Sequence, residues 1–307
     1  MKKILFSLLF IQLSLIIQAQ DFYPLWQNGK KPNYNGKKVT DSLFHERIWR
    51  VATPGIYAFV VPKGENKGTA VLIVPGGGYE RLSYLYNGFN LAKWYNSIGV
   101  NVFVLIHRLP HQADLINKQI APVQDAQRAM KLIRSKAAEW NILADKVGVM
   151  GSSAGGHVAS SLGTHIKDES LVNDTIDKYN YRPDFMVLLS PVITMGKLAH
   201  PGSKKNFLGA DTTAANIELF SNELQVTSFT PPAFIVHALN DSTVKVQNSL
   251  MFYEALIKNK VNASIHIFPQ GGHGIRLDDN PGSTDLWMNL LELWLKEMNL
   301  VIPIKFK

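Results

Sequence analysis

Apolar runs that suit buried strands alternate with amphipathic segments from about residue 70 to the end of the chain. The runs include TAVLIVP, VNVFVLIH, FMVLLSP and AFIVHAL, and such continuous runs suit strands buried on both faces of a parallel sheet. The segment VQDAQRAMKLIRSKAAEW has helical spacing, with Ala126, Met130 and Ile133 on one face and basic residues opposite. The pattern therefore predicts an α/β fold with a mainly parallel central sheet and helices on both faces.

The chain divides by composition into a leader, an arm and one large domain. Residues 20–55 are polar and contain aromatic and turn-forming residues, which favours an arm lying over the domain surface. Residues 56–307 carry the alternating pattern and form the predicted main domain. Within it, residues 190–232 separate two strands by a long, fairly polar stretch, and loops of this length usually have a function or short elements of their own. We expect this insertion to lie near the functional site.

Residues 1–19 match a secretory signal peptide. Lys2 and Lys3 form a basic start, Ile4 to Ile17 is mostly apolar, and Ala19 precedes a plausible cleavage point. The alternative is an uncleaved anchor, but the run is short for a bilayer span of ~20 apolar residues. We therefore expect a secreted, periplasmic protein with no stable membrane insertion after cleavage.

Composition argues against several classes of protein. The formal net charge is +8, but Lys and Arg are scattered rather than concentrated in runs, which predicts a basic soluble surface and no nucleic-acid partner. The chain has no cysteine, which excludes a disulfide framework and a thiol nucleophile. We also find no His, Asp or Cys cluster with metal-ligand spacing, so neither a metal nor a cofactor is expected.

The stretch GSSAG, residues 151–155, contains two serines, but only Ser153 has glycine both two positions before and two positions after it. A nucleophile at the tip of a tight strand-to-helix turn has strained backbone geometry, and bulky residues at those offsets would collide with it. A predicted strand, KVGVM, precedes the turn and a predicted helix, AGGHVASSLG, follows it. The alternative is a helix start that is merely rich in small residues, but this context favours Ser153 as a nucleophile.

A serine nucleophile needs a base and an acid, which in this type of fold follow in the order Ser, acid, His on loops after late strands. His273 in FPQGGHGIRL follows the predicted strand ASIHIF, and Asp241 in HALNDSTV follows the strand before it. Asp241 would accept the Nδ1 proton of His273 and stabilise the imidazolium. The alternative for Asp241 is a turn or helix-capping aspartate.

The remaining histidines have weaker positions. His157 is expected to pack in the helix after the turn, and His237 to be structural near the site. His107 ends a strand and is a possible pocket residue. His266 lies inside a predicted strand, and four others have no motif support: His45, His111, His165 and His200.

An acyl-transfer site also needs hydrogen-bond donors for the oxyanion. The segment VPGGGYE follows the strand TAVLI, and its glycines let backbone N–H groups approach a substrate closely. We predict one donor from Gly77 or Gly78 and another from Ala154. A phosphate-binding loop is the alternative, but the glycine spacing matches no nucleotide-binding motif.

Six segments together resemble secreted bacterial α/β-hydrolase esterases of the acetylxylan-esterase and feruloyl-esterase-like type. They are VLIVPGGGY, PVQDAQRAMKLIRSKAAEWNI, GVMGSSAGGHVAS, LLSPVITMG, TPPAFIVHALNDSTVKVQNSLMFYEAL and HIFPQGGHGIRL. The resemblance implies Ser153, Asp241 and His273 as a triad, with Gly77, Gly78 and Ala154 as the oxyanion hole. Two positions depart from the pattern: Ser152 stands where a larger residue is common, and His107 where Tyr is common.

The resemblance implies a serine carboxylesterase that removes acyl groups, foremost acetyl, from a polysaccharide such as xylan or its oligosaccharides. A feruloyl or general carboxylesterase, a peptidase or lipase on the same fold, and a non-catalytic binding protein are the alternatives. Ser152, His107 and Tyr79 are predicted to lie near the substrate. Aromatic rings on which a sugar could stack are Trp26, Tyr79, Tyr84 and Tyr86.

Overall fold

A computed structural model describes residues 20–27 and 31–301, so the predicted signal peptide lies outside the described residues. The strands of this part of the chain are β1 Asp21–Pro24, β2 Ser42–Phe44, β3 Arg47–Arg50, β4 Gly55–Phe59, β5 Ala70–Val74, β6 Asn101–Ile106, β7 Val147–Ser152, β8 Met186–Leu189, β9 Ala233–Ala238 and β10 Ala263–Phe268. The α-helices are α1 Asn90–Ser97, α2 Ile120–Ser135, α3 Ala154–Thr164, α4 Pro201–Leu208, α5 Ala214–Leu219, α6 Gln247–Lys258 and α7 Trp287–Glu297. Short π and 3₁₀ turns cover Leu85–Phe89, Asn222–Leu224 and Gly282–Leu286.

Eight strands form one central sheet in the order β1-β4-β6-β5-β7-β8-β9-β10. The six strands from β6 to β10 in this order are parallel, and β4 and β1 extend the sheet antiparallel at one edge. The predicted mainly parallel sheet is therefore confirmed.

Both faces of the sheet are buried, because neighbouring residues of each central strand point to opposite sides. On one face Leu72 of β5 belongs to a core that includes residues of α2, α3 and α6. On the other face Val71 of the same strand belongs to a core with α1 and α7. This double burial explains why the strands appear as continuous apolar runs rather than as an alternating pattern.

The N-terminal segment is more deeply integrated than the arm that the sequence predicts. Strand β1 pairs with β4 at the sheet edge, and Leu25 and Trp26 are buried in the core. Strands β2 and β3 form a separate hairpin, which attaches to the domain through two backbone hydrogen bonds between Ile48 and Leu82, of 2.8 and 3.1 Å. The segment is thus partly sheet edge and partly an outer hairpin.

A buried ion pair joins this segment to helix α2. Arg108 and Asp125 are both fully buried, with their closest N–O distance 2.7 Å. Asp125 also accepts from the Trp26 indole N–H at 2.9 Å, and Arg108 donates to the Pro32 carbonyl at 2.7 Å. The Asp125 carboxylate on α2 therefore binds both Arg108, which follows β6, and Trp26 of the N-terminal segment.

The predicted insertion, residues 190–232, contains α4, α5 and the 3₁₀ turn Asn222–Leu224. Among the described residues, no helix combines the length and the apolar character needed to cross a bilayer.

We expect Asp125→Ala to lower the free energy of unfolding by about 3–5 kcal/mol, because it leaves the Arg108 guanidinium buried without a counter-charge. Urea unfolding of the purified protein measures this loss. The matched control is Glu139→Ala, which removes the partner of Lys136 from a surface pair and should cost less than about 1 kcal/mol. Equal losses in the two variants would contradict the role given to the buried pair.

Candidate active site

The predicted site residues meet at the carboxyl edge of the sheet. Ser153 directly follows β7, Asp241 follows β9, His273 follows β10, and the glycine loop at Gly77 follows β5. Strand β5 lies between β6 and β7 in the sheet. The chain forms β6 on one side of β5 and then crosses to form β7 on the other side. Open α/β sheets bind ligands at such a reversal of strand order.

Ser153 lies at the tip of a strained strand-to-helix turn. Its backbone has φ 54° and ψ −124°, a conformation that is rare for a residue with a side chain. A Cβ atom at Gly151 would overlap the Gly155 carbonyl oxygen, and one at Gly155 would overlap the Val74 carbonyl oxygen. The two glycines that flank Ser153 are therefore required by the packing of β7, α3 and β5.

Ser153, His273 and Asp241 form one continuous hydrogen-bonded series. The His273 Nε2 atom lies 2.9 Å from the Ser153 Oγ atom, and His273 Nδ1 lies 2.7 Å from Asp241 Oδ2. A carboxylate only accepts, so Nδ1 carries the proton and Nε2 is free to accept the serine proton. This is the geometry of a Ser–His–Asp triad.

The Asp241 carboxylate is held by more than His273. Its Oδ1 accepts from the Val244 N–H at 2.9 Å, and its Oδ2 lies 3.2 Å from Nε2 of the buried His237. Burial alone would raise the pKa of Asp241, but the hydrogen bonds from His237, His273 and Val244 hold that pKa well below its ordinary value. Asp241 is therefore ionised and gives His273 a negatively charged partner. His237 is a structural neighbour of this carboxylate.

The glycine loop lies beside Ser153 and has backbone N–H groups that donate to no acceptor among the described residues. The Gly77 carbonyl accepts from the Glu80 and Arg81 amides, and among the described residues the N–H groups of Gly77 and Gly78 have no hydrogen-bond acceptor. Gly77 and Gly78 both line the cleft beside Ser153. Ala154 is the first residue of α3, where an N–H has no acceptor within the helix. These three N–H groups are therefore available to donate to a ligand oxygen.

Two outer segments brace this loop. The hairpin binds Leu82 through Ile48, and Asn206 of helix α4 donates to the Gly78 carbonyl at 2.8 Å. Helix α4 begins at Pro201, and the Nδ1 atom of its N-cap residue, His200, accepts from the Ser203 N–H. Residues 190–232 thus lie beside the site, and α4 is hydrogen-bonded to the glycine loop.

A cleft of about 510 Å³ opens over Ser153 and His273. Its apolar wall residues are Leu189 and Ile275. Its polar lining includes Arg47, Glu80, Arg81, Ser83, Asn87, His200, Asn206 and Thr243. The cleft therefore presents many hydrogen-bonding groups to a ligand.

Ser152 lines the cleft as predicted, with its hydroxyl buried. Ser190, at the end of β8, has a second buried hydroxyl, and neither has a hydrogen-bond partner among the described residues. Burial and the nearby imidazole of His273 lower the pKa of His200, a third cleft residue. No sequence motif assigns a role to Ser190, His200 or Asn206. The position of Ser190 after a parallel strand was a usable signal, whereas the insertion residues carry no motif.

Tyr79 and His107 do not lie where they were predicted. Tyr79 is 1% exposed, and its hydroxyl is 2.6 Å from Nδ1 of the buried His157. His107 is 2% exposed, and its Nδ1 lies 2.9 Å from the Arg108 carbonyl. Neither is among the residues that line the cleft, since both side chains are buried. Of the aromatic residues proposed for sugar stacking, only Tyr86 lines the cleft.

His157 is fixed as a neutral imidazole. Its Nε2 is 2.8 Å from the Phe220 carbonyl, which only accepts, so Nε2 carries the proton and Nδ1 accepts from the Tyr79 hydroxyl. Burial lowers the pKa of His157 to about 4. This histidine connects α3 to the glycine loop and to the insertion, but it takes no part in the triad.

No group of His, Asp or Glu side chains in the described part of the chain is arranged to hold a metal ion. The chemistry available at the site is that of a serine, an imidazole and backbone amides.

The sheet, the turn at Ser153 and the triad geometry together define an α/β-hydrolase. Residues 58–256, more than half of the chain, match the family model BD-FAE. The chain therefore belongs to the BD-FAE family, and the predicted resemblance to α/β-hydrolase esterases is confirmed.

Two curated relatives have similar sequences. The chain is 35% identical over 243 residues to endo-1,4-beta-xylanase B of Butyrivibrio fibrisolvens, covering 76% of this chain and 38% of that protein. It is also 35% identical over 236 residues to an acetylxylan esterase of Xylanibacter ruminicola, covering 75% of this chain and 46% of that protein. The matches thus span less than half the length of either relative.

Solved structures have the same fold. An acetyl ester-xyloside bifunctional hydrolase from Caldicellulosiruptor lactoaceticus is 32% identical with a TM-score of 0.80, covering 94% of this chain and 100% of that one. A thermophilic esterase from Thermogutta terrifontis is 19% identical with a TM-score of 0.69, over 90% and 96% of the two chains, which shows the shared fold alone.

We expect His157→Gln to weaken the acid sensitivity of folding. Since the pKa of His157 is about 4 when folded and about 6.5 when unfolded, its contribution is complete above the unfolded value and is lost as the pH falls towards the folded value. From about pH 7 to about pH 5 the wild type should lose about 2 kcal/mol more than the variant. Urea unfolding at both pH values measures the difference, and equal losses would contradict the prediction.

Loss of the Asn206 brace should reduce turnover. We expect Asn206→Ala and the equally sized but non-donating Asn206→Asp to lower kcat on para-nitrophenyl acetate by about tenfold, with a smaller change in KM, because a loop that holds oxyanion donors acts in the transition state. The matched control on the same helix is Lys205→Ala, an exposed residue. Full kcat in Asn206→Asp would show that the hydrogen bond to Gly78 does not position the loop.

Proposed function

We propose that this protein is a serine carboxylesterase that removes acyl groups, foremost acetyl, from xylan or its oligosaccharides. The observation that carries the proposal is the unbroken series of hydrogen bonds from Asp241 through His273 to Ser153, on the wall of a polar cleft. The relatives named as an acetylxylan esterase and as an acetyl ester-xyloside hydrolase support the substrate class.

Acylation begins when His273 Nε2 takes the Ser153 hydroxyl proton while Oγ bonds to the ester carbonyl carbon. The carbonyl π electrons move onto its oxygen, which the N–H groups of the glycine loop and Ala154 stabilise. When the carbonyl re-forms, the bond to the alcohol oxygen breaks, and the departing sugar hydroxyl takes the proton from His273. The acyl group remains bonded to Ser153.

Deacylation repeats the same steps with water. His273 takes a proton from water, the hydroxide oxygen bonds to the acyl carbon, and the carboxylic acid leaves as Ser153 Oγ recovers its proton. Throughout, the ionised Asp241 holds the Nδ1 proton of His273 and stabilises the imidazolium. The low pKa of Asp241 supports this role, because the carboxylate stays charged during each transfer.

The polar groups of the cleft wall support a sugar ester. Arginine, glutamate and asparagine side chains line the cleft together with the aliphatic residues Leu189 and Ile275, and these polar groups can bind sugar hydroxyls. A feruloyl or general carboxylesterase would use the same triad, so acetate and ferulate release from a panel of natural glycans decides between them. We also propose export to the periplasm, on the basis of residues 1–19.

Ser153→Ala should reduce ester turnover by about 10³-fold or more, since removing the nucleophile leaves only binding and oxyanion stabilisation. Acetate release from acetylated xylan and from para-nitrophenyl acetate measures the loss. Ser152→Ala, the adjacent serine, should retain the chemistry. Full activity in Ser153→Ala would exclude Ser153 as the nucleophile.

A serine-directed fluorophosphonate separates an esterase from a non-catalytic binding protein on the same fold. Wild type and Ser152→Ala should be labelled at one residue, and Ser153→Ala should not. If the wild type is left unlabelled, the protein is a binding protein and the proposal fails.

A further inference from the structure

A second groove of about 470 Å³ lies beside the catalytic cleft. It is open to solvent and is lined by Ser42, Trp49, Arg50, Glu80, His111 and Asn206. Glu80 and Asn206 also line the cleft, so the two depressions adjoin along one surface. The β2–β3 hairpin supplies half of the lining, although this hairpin contains none of the triad or the glycine loop. We call this region the hairpin groove.

Trp49 is held in a fixed orientation at the hairpin groove. Its indole N–H donates to the Phe44 carbonyl at 3.2 Å, and the Arg81 guanidinium lies over the ring, 5.1 Å from its centroid. A partly buried indole that is already fixed loses little conformational entropy on binding. Its flat apolar surface matches the C–H face of a pyranose ring.

The polar groups of the groove match the hydroxyls of a neutral sugar. Arg50 supplies donors and Glu80 supplies acceptors, so the wall has no single sign of charge. His111 Nδ1 lies 3.3 Å from the Tyr79 carbonyl, which only accepts. Nδ1 therefore carries the proton, and in the neutral ring Nε2 is left as an acceptor for a hydroxyl. An aromatic ring with donors and acceptors beside it suits neighbouring hydroxyls better than a lipid or a nucleic acid.

We propose that the hairpin groove binds the unesterified sugar residues of a neutral glycan chain whose acylated residue occupies the catalytic cleft. The inference rests on the proposed function for the orientation of the chain, but glycan binding itself does not require the reaction. The protein would thus recognise a chain of several sugars rather than a single ester-bearing unit.

The test is the binding of unacylated xylo-oligosaccharides, measured by isothermal titration calorimetry on the full-length protein. We expect binding by the wild type, a Kd about tenfold higher for Trp49→Ala, and partial recovery for Trp49→Phe, because Phe keeps a smaller aromatic face. The matched control is Leu43→Ala on the same hairpin, where the side chain is exposed and lies outside the groove; its Kd should equal that of the wild type. Circular dichroism and thermal unfolding establish that each variant is folded.

No binding by the wild type, or an equal Kd for Trp49→Ala and the wild type, would overturn the inference. Failure of the proposed function gives a different result. In that case the glycan still binds with the predicted dependence on Trp49, but acetate is not released from acetylated xylan.

Discussion

The turn at Ser153 leaves no space for side chains at Gly151 and Gly155, because the carbonyl oxygens of neighbouring backbone segments occupy it. This close packing joins β7, α3 and the end of β5 into one junction. The nucleophile and the glycine loop therefore share a rigid base, and the distance between Ser153 and the oxyanion donors is set by backbone contacts rather than by side-chain rotamers. The triad distances depend on that junction because Ser153 is part of it, whereas Asp241 and His273 follow the separate strands β9 and β10.

Around the junction, two segments that lie outside the strand–helix alternation hold the glycine loop. The hairpin binds it through Ile48 and Leu82, and helix α4 binds it through Asn206 and the Gly78 carbonyl. Below them, the neutral His157 connects α3 to Tyr79 and to the insertion. These contacts hold the loop in place, so under the proposed function its amides would need little reorganisation when a charge develops in the cleft.

Much of this arrangement could be predicted from sequence because it depends on local rules. Apolar runs gave the buried strands, the glycine offsets distinguished Ser153 from Ser152, and chain order distinguished Asp241 and His273 from other candidates. The side chains of Tyr79 and His107 were misplaced because strand-end position does not say whether a ring turns towards the cleft or into the packing above the sheet. The sequence carries no signal for the roles of Asn206 and Trp49. The role of Asn206 arises from a contact between segments more than a hundred residues apart. The role of Trp49 arises from its place on an irregular hairpin.

Helix α4 contributes to the site in two ways. Asn206 and the N-cap residue His200 line the cleft, and Asn206 also binds the Gly78 carbonyl. Segments that shape a binding site are often treated as exchangeable modules in enzyme engineering. Here a graft that replaced residues 190–232 with those of a relative would change the support of the glycine loop together with the cleft wall. Under the proposed function, a change in this region would therefore alter substrate selectivity and turnover rate together.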